Sequence, residues 1–199
     1  MKSTELLRSI FLLSLLLIMM SSCNPYSTQI KGDNNNMNGS FETVKENLPV
    51  NWYFYSPGKV PNSDFDIISD DKEYKEGAKS LKFIVRKCES LGGWHSPGFF
   101  QDFNAVHNET YKVSFWAINK DCKFQIVLES SEEGTKGTHE TVLQTKDSFT
   151  EWKYYEFHFK TAPTIDMIRF EANILSPGTI WFDGIKIIGE SDMDERTLR

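Results

Sequence analysis

Cysteine is scarce in this chain, with three among 199 residues. That is too few for a disulfide scaffold or a four-cysteine zinc site. Positive charge is in deficit: 22 Lys and Arg stand against 28 Asp and Glu, a formal net charge of −6. An electrostatic nucleic-acid binder clusters Lys and Arg, so nucleic acid is set aside as a partner. Long apolar runs are missing too. The longest, residues 10–20, is broken only by Ser14. As a helix it would reach about 16 Å at about 1.5 Å per residue, against a bilayer core of about 30 Å. No sustained helical stripe and no internal repeat is present. The nucleotide loops G-x-x-x-x-G-K and G-x-G-x-x-G are absent, as is the G-x-S-x-G nucleophile elbow. His139-Glu140 starts like a zinc-protease helix, but position 143 is Leu. Asp64-Phe65-Asp66 starts like a calcium loop, but Ser69 and Lys75 stand where an EF-hand needs Gly and Glu. No two of the four histidines share a metal-ligand spacing, and no carboxylate pair is singled out for glycoside hydrolysis. The chain is expected not to be an enzyme.

What is present begins with an address. Lys2 and Arg8 precede the apolar run, which ends in Met20-Ser21-Ser22-Cys23. A run this short between basic and small residues is a signal-peptide core. The last four residues resemble the lipobox of bacterial lipoproteins, with Met20 in place of the more usual leucine. The resemblance implies cleavage after residue 22, diacylation (palmitate) of Cys23, export, and a lipid anchor on a periplasm-facing membrane or the cell surface. Residues 23–36 include three consecutive asparagines and read as a flexible tether. Residues 191–199 form a polar tail. The folded domain is expected over residues 37–190.

Inside that domain the apolar period is two. Tyr111, Val113, Phe115 and Ala117 alternate with Lys112, Ser114, Trp116 and Ile118. Phe124, Ile126 and Leu128 alternate with Gln125, Val127 and Glu129, and Tyr155, Phe157 and Phe159 with Tyr154, Glu156 and His158. Ile168, Phe170 and Ala172 alternate with Arg169, Glu171 and Asn173. Runs at 80–86, 98–104 and 179–188 fit the same scheme. Ser56-Pro57-Gly58, Gly92-Gly93, Ser96-Pro97-Gly98 and Ser176-Pro177-Gly178 punctuate them as turns. Such spacing predicts an all-β fold, an antiparallel β-sandwich or jelly roll.

A family resemblance emerges when segments are read in order. Asn38-Gly39-Ser40-Phe41-Glu42 is followed by Leu48-Pro49-Val50-Asn51-Trp52, then Y-K-E-G-A-K-S-L from Tyr74 to Leu81, and Phe100-Gln101. Next come Y-K-V-S-F-W from Tyr111 to Trp116, Trp152 with Tyr155, Phe157 and Phe159, and Trp181-Phe182-Asp183-Gly184-Ile185. This order resembles the CenC-type carbohydrate-binding modules, families four, nine and twenty-two, among the galactose-binding-like jelly rolls. The resemblance implies a glycan partner. It also implies a structural calcium held by Glu42, Asp183 and backbone oxygens around Gly77 and Lys79. Calcium wants six to eight hard oxygens, which two carboxylates and carbonyls can begin to supply. Gly184 stands where the family often has a second Asp.

Sugar binders stack an aromatic plate on the ring and surround it with polar groups. By strand parity the outward candidates are Trp116, Gln125, Glu129, Tyr154, Glu156, His158, Arg169, Glu171 and Asn173, with Trp94 in a glycine-flanked loop. Trp52, Trp152 and Trp181 are assigned to packing. Cys88 and Cys122, at strand ends, are either a disulfide or two buried thiols; export permits the bond. Two function classes stay open. One is a non-catalytic surface lipoprotein binding poly- or oligosaccharide beside glycoside hydrolases or transporters. The other is a structural or protein–protein module on the same fold.

Overall fold

In the computed structural model the described residues are 28–29, 37–131, 138–165 and 167–191. The leader, Cys23 and residues 192–199 lie outside them. Among the described residues no helix is long and apolar enough to cross a membrane.

The strands in chain order are β1 (Thr28–Gln29), β2 (Val44–Lys45), β3 (Leu48–Pro49), β4 (Tyr53–Tyr55) and β5 (Asp64–Asp70). They continue with β6 (Ser80–Lys87), β7 (Gly98–Asn104), β8 (Thr110–Lys120) and β9 (Phe124–Ser131). The series ends with β10 (Thr138–Thr145), β11 (Phe149–Lys160), β12 (Met167–Ile174) and β13 (Gly178–Gly189). One sheet runs β1-β7-β12-β9-β10, with β4 also on β7; the other runs β11-β8-β13-β6-β5. Apart from the parallel β1–β7 rung, the pairs in both sheets are antiparallel, which makes a β-sandwich of the jelly-roll type. That rung, Thr28 beside Phe103, falls within the stretch expected to be a free tether.

Apart from the hairpins β5–β6 and β9–β10, successive long strands change sheets: β5, β6, β8, β11 and β13 belong to one layer, and β7, β9, β10 and β12 to the other. Their inward residues meet in an aromatic core. Phe99 is fully buried and its ring touches those of Phe41, Trp52, Phe83, Phe170 and Phe182 at 5.2–6.2 Å. Edge-on contacts of this kind add about 0.5–1.5 kcal/mol each beyond area burial. The alternation that built this core leaves the polar set of each strand on an outer face.

Gly184 carries the one kink that matters for the second sheet. Its φ of 57° lies in the left-handed region, at a register shift between Asp183 and Lys186. A Cβ there would stand 2.9 Å from the Glu76 carboxyl carbon, so glycine permits both the turn and the close approach.

Candidate functional site

The structure divides the outward candidates between two faces. Gln125 and Glu129 of β9, and Arg169, Glu171 and Asn173 of β12, share the outer face of the first sheet, where the register sets Arg169 beside Glu129 and Asn173 beside Gln125. Trp116 of β8 and Tyr154, Glu156 and His158 of β11 share the outer face of the opposite sheet. The ten therefore do not form one site. Parity separates inward from outward, but strands consecutive in sequence sit in different layers, so outward residues of β8 and β9 point away from each other.

On the first face three residues outside the candidate set build an aromatic wall. Tyr53 and Phe100 are cross-strand partners with rings stacked at 5.0 Å and 12°, and Tyr55 follows at 5.5 Å from Phe100. The Arg169 guanidinium lies 4.3 Å from the Phe100 ring centre. Its Nε and Nη2 donate to the two carboxylate oxygens of Asp102 at 2.6 and 2.9 Å, and Nη1 lies 3.8 Å from Glu129. The Asp102 hydrogen bond raises the Arg169 pKa above its ordinary value. Glu129 also meets His139 Nδ1 of β10 at 2.7 Å. Beside this charged end runs an amide strip: Gln144, Gln125 and Asn173 are hydrogen-bonded in series to the buried Glu171, which also accepts from the Tyr55 hydroxyl. Burial, the largest cause, and the Glu171 carboxylate push the Tyr55 phenol well above its usual pKa, so it is held as a donor. Trp94 belongs to the loop adjoining this strip, since Gly92 packs against the Gln125 amide, and it is 60% exposed.

The opposite face is built differently. Lys75 caps the Trp116 ring at 4.2 Å and Tyr154 abuts it at 4.9 Å. Tyr154 donates to Glu156 at 2.8 Å, which lowers the Glu156 pKa, and His158 lies between Glu156 and Glu190 at 3.6 and 3.3 Å. A hollow of about 360 Å³ opens here over Asp70, Lys82 and Trp181. Three of its groups engage one another: Trp181 Nε1 donates to Asp70 at 2.9 Å, Lys82 pairs with the same carboxylate at 3.2 Å, and lysines 82 and 120 lie over the indole. Trp152 donates to Glu73. On this face Trp181 is buried, Trp116 and Trp152 are half-buried and Tyr154 is exposed, whereas the first face offers a continuous row of aromatic and amide groups.

Glu42 and Asp183 converge on one loop. Asp183 is fully buried and accepts from the amides of Lys75, Glu76 and Gly184 at 2.7–2.8 Å, while Glu42 accepts from Ala78 and Lys79 at 2.9 and 3.0 Å. Burial pushes the Asp183 carboxyl up to about 6. These partners are neutral backbone amides, so the negative charge of both carboxylates suits a cation. Among the described residues no three carboxylate, histidine or cysteine side chains stand together at metal-binding spacing, so loop carbonyls would have to complete a shell. Gly77, at a φ of 66°, lets Glu42 lie against the loop, since a Cβ there would come within 2.3 Å of the carboxylate.

A family model described as a carbohydrate binding domain matches residues 33–178. The chain belongs to this carbohydrate binding domain family. Solved structures of the same kind share its fold. The CBM22-1–GH10 modules of Clostridium thermocellum endo-1,4-β-D-xylanase 10B, complexed with xylohexaose, superpose with a TM-score of 0.55 at 14% identity, over 70% of this chain and 26% of that one. The carbohydrate-binding chain thus spans about a quarter of that structure. The C-terminal family 22 module of the same xylanase, whose cleft binds ligand, gives 0.54 at 14% identity over 76% and 91%. A CBM4 module gives 0.53 at 18% identity over 77% and 98%. These likenesses are of fold. No curated protein matches the chain. By family the domain is a carbohydrate-binding module.

Proposed function

We propose that the module holds a poly- or oligosaccharide across the outer face of the β10-β9-β12-β7-β4 sheet. The observation that carries this is the continuity of that face, where the Tyr53–Phe100–Tyr55 wall adjoins the amides of Asn173, Gln125 and Gln144 and the Arg169 guanidinium. Apolar C–H faces of a sugar meet the rings, and its hydroxyls meet the amides and carboxylates. Trp94 extends the face at the Gln125 end. Xylan is the first probe to try, because structural neighbours carry xylan-binding names. Trp116, Tyr154, Glu156 and His158, on the far sheet, take no part in this reading.

Affinity electrophoresis and calorimetric titration against xylan, plant glucans and host glycans test it. Tyr53→Ala should weaken binding by about 1–3 kcal/mol, as truncation of an aromatic anchor does, while Trp116→Ala leaves binding within about twofold. The reverse pattern moves the ligand to the other sheet. No retardation by any polysaccharide overturns the glycan reading. We further propose that the chain is an exported lipoprotein anchored through Cys23, presenting glycan to glycoside hydrolases or transporters. Cys23→Ser should then move it from the membrane to the soluble fraction, and unchanged partitioning refutes the anchor.

A further inference from the structure

The amide strip has a direction. Gln144 Nε2 donates to Gln125 Oε1 at 3.1 Å, Gln125 Nε2 to Asn173 Oδ1 at 3.1 Å, and Asn173 Nδ2 to Glu171 Oε1 at 2.9 Å. Tyr55 is a second donor to the same Glu171 oxygen, at 3.1 Å. An amide taken alone is ambiguous, since turning it over exchanges oxygen for NH₂ at little cost. A carboxylate is not, because it only accepts. Glu171 therefore fixes Asn173 with its nitrogen inward. That turns the Asn173 oxygen toward Gln125, which must answer with its own nitrogen, and Gln144 must do the same one strand further out. Glu171 and Asn173 are 4% and 1% exposed, so the anchor is dry, where hydrogen-bonded networks are strongest. Gly92 closes over the middle link: a Cβ at this position, whose φ is 76°, would stand 2.7 Å from Gln125 Nε2.

Resting on the glycan-binding reading, we propose that Glu171 is a positioning residue that orients the amides of Asn173, Gln125 and Gln144, so the face meets its ligand with a fixed row of N–H donors. Gln125 and Gln144 each commit one N–H to the chain and keep a second for the ligand, while the buried Asn173 only passes the orientation on. A glycan segment with acceptor oxygens along that row is selected over one that needs acceptors from the protein there. The information passes through the hydrogen bonds themselves, over three strands, and ends at Gln144, which does not touch Glu171.

Glu171→Gln tests this, because glutamine keeps the size but can donate as well as accept. Side-chain amide proton–nitrogen spectra of the whole protein should show Asn173, Gln125 and Gln144 all shifting in Glu171→Gln. Titration with xylohexaose should weaken tenfold or more. Gln125→Glu is the partner variant. It cannot donate to Asn173 yet still accepts from Gln144, so the Asn173 signals should move, while Gln144 keeps a hydrogen-bonded amide proton, shifted downfield by the charged acceptor. Shifts confined to Asn173 in Glu171→Gln overturn the positioning role. Shifts along the whole strip with unchanged xylohexaose affinity overturn ligand selection. If wild-type protein binds no xylohexaose while the three amides still move together, the positioning role stands and the glycan reading fails. Should Glu171→Gln not fold, the Gln125→Glu pattern decides alone, and Gln144 amide protons at the positions of a free, solvated amide there refute the directed chain.

Discussion

Removing Arg169 should cost the domain more than an ordinary surface charge does. Its guanidinium makes a bidentate pair with Asp102 at 2.6 and 2.9 Å and covers the Phe100 ring at 4.3 Å. Hydrogen bonds to charged groups contribute about 1.5–3 kcal/mol when shielded. The two side chains are 28% and 22% exposed, so solvent screening brings the pair nearer to about 1–2 kcal/mol. Loss of the stacked guanidinium adds about 0.5–1 kcal/mol. Arg169→Ala should therefore destabilise by about 1.5–3 kcal/mol in total. For a domain of this size that lowers Tm by roughly 2–4 °C per kcal/mol. Urea unfolding of Arg169→Ala, Asp102→Ala and the double variant isolates the pair, with an expected coupling of about 1–2 kcal/mol. A coupling within about 0.3 kcal/mol of zero is simple additivity. That result refutes the reasoning and makes the bidentate geometry incidental. Arg169→Lys should recover little, since an ammonium cannot reproduce the fork.

Burial pushes the Cys88 and Cys122 thiols up to about 11 and about 12, so neither should be alkylated by iodoacetamide at pH 8 until the protein is unfolded; rapid labelling of native protein refutes this. If calcium bridges Glu42 and Asp183, a chelator should lower Tm in wild type and not in Glu42→Ala, because an ion bound only by the folded state stabilises it. Identical curves with and without chelator remove the ion. Tyr55 has a folded-state pKa raised above that of an exposed phenol. Its contribution is present in full below the unfolded pKa of about 10 and falls away as pH rises beyond it. Tyr55→Phe should therefore lose less stability between pH 9 and pH 12 than wild type, and parallel losses in chemical denaturation overturn the assignment.

The fold was legible because apolar alternation reports burial directly. The runs at 80–86, 98–104, 111–117, 124–128, 155–159, 168–172 and 179–188 all lie in observed strands, and their apolar sets line the core. The short or edge elements were not legible. In β10 the sequence T-H-E-T-V-L-Q-T does not alternate, since the strand covers one edge, carries a register shift between Thr141 and Leu143, and is mostly exposed. Asp64-Phe65-Asp66 looked like a thwarted calcium loop. It is the start of β5, where Asp64 and Asp66 both grip Arg86 at 2.6 and 2.7 Å and Phe65 enters the core.

The binding face was half legible, for a topological reason. Parity put Gln125, Glu129, Arg169, Glu171 and Asn173 outside, and they share a face because β9 and β12 are hydrogen-bonded neighbours. Nothing in the period says that β8 and β11 belong to the other layer, so Trp116 and Tyr154 could not be separated from them by alternation. The missing half was written in two short signals. In Tyr53-Phe54-Tyr55 the middle ring packs against the core, leaving its neighbours on the outer face. In Phe99-Phe100-Gln101-Asp102 the outward pair is Phe100 and Asp102, which become the ring under Arg169 and the carboxylate that holds it. What no periodicity contains is the order of amides from Gln144 to Glu171. It arises only when β10, β9 and β12 are laid side by side in register, so the donor pattern offered to a ligand is a property of strand pairing.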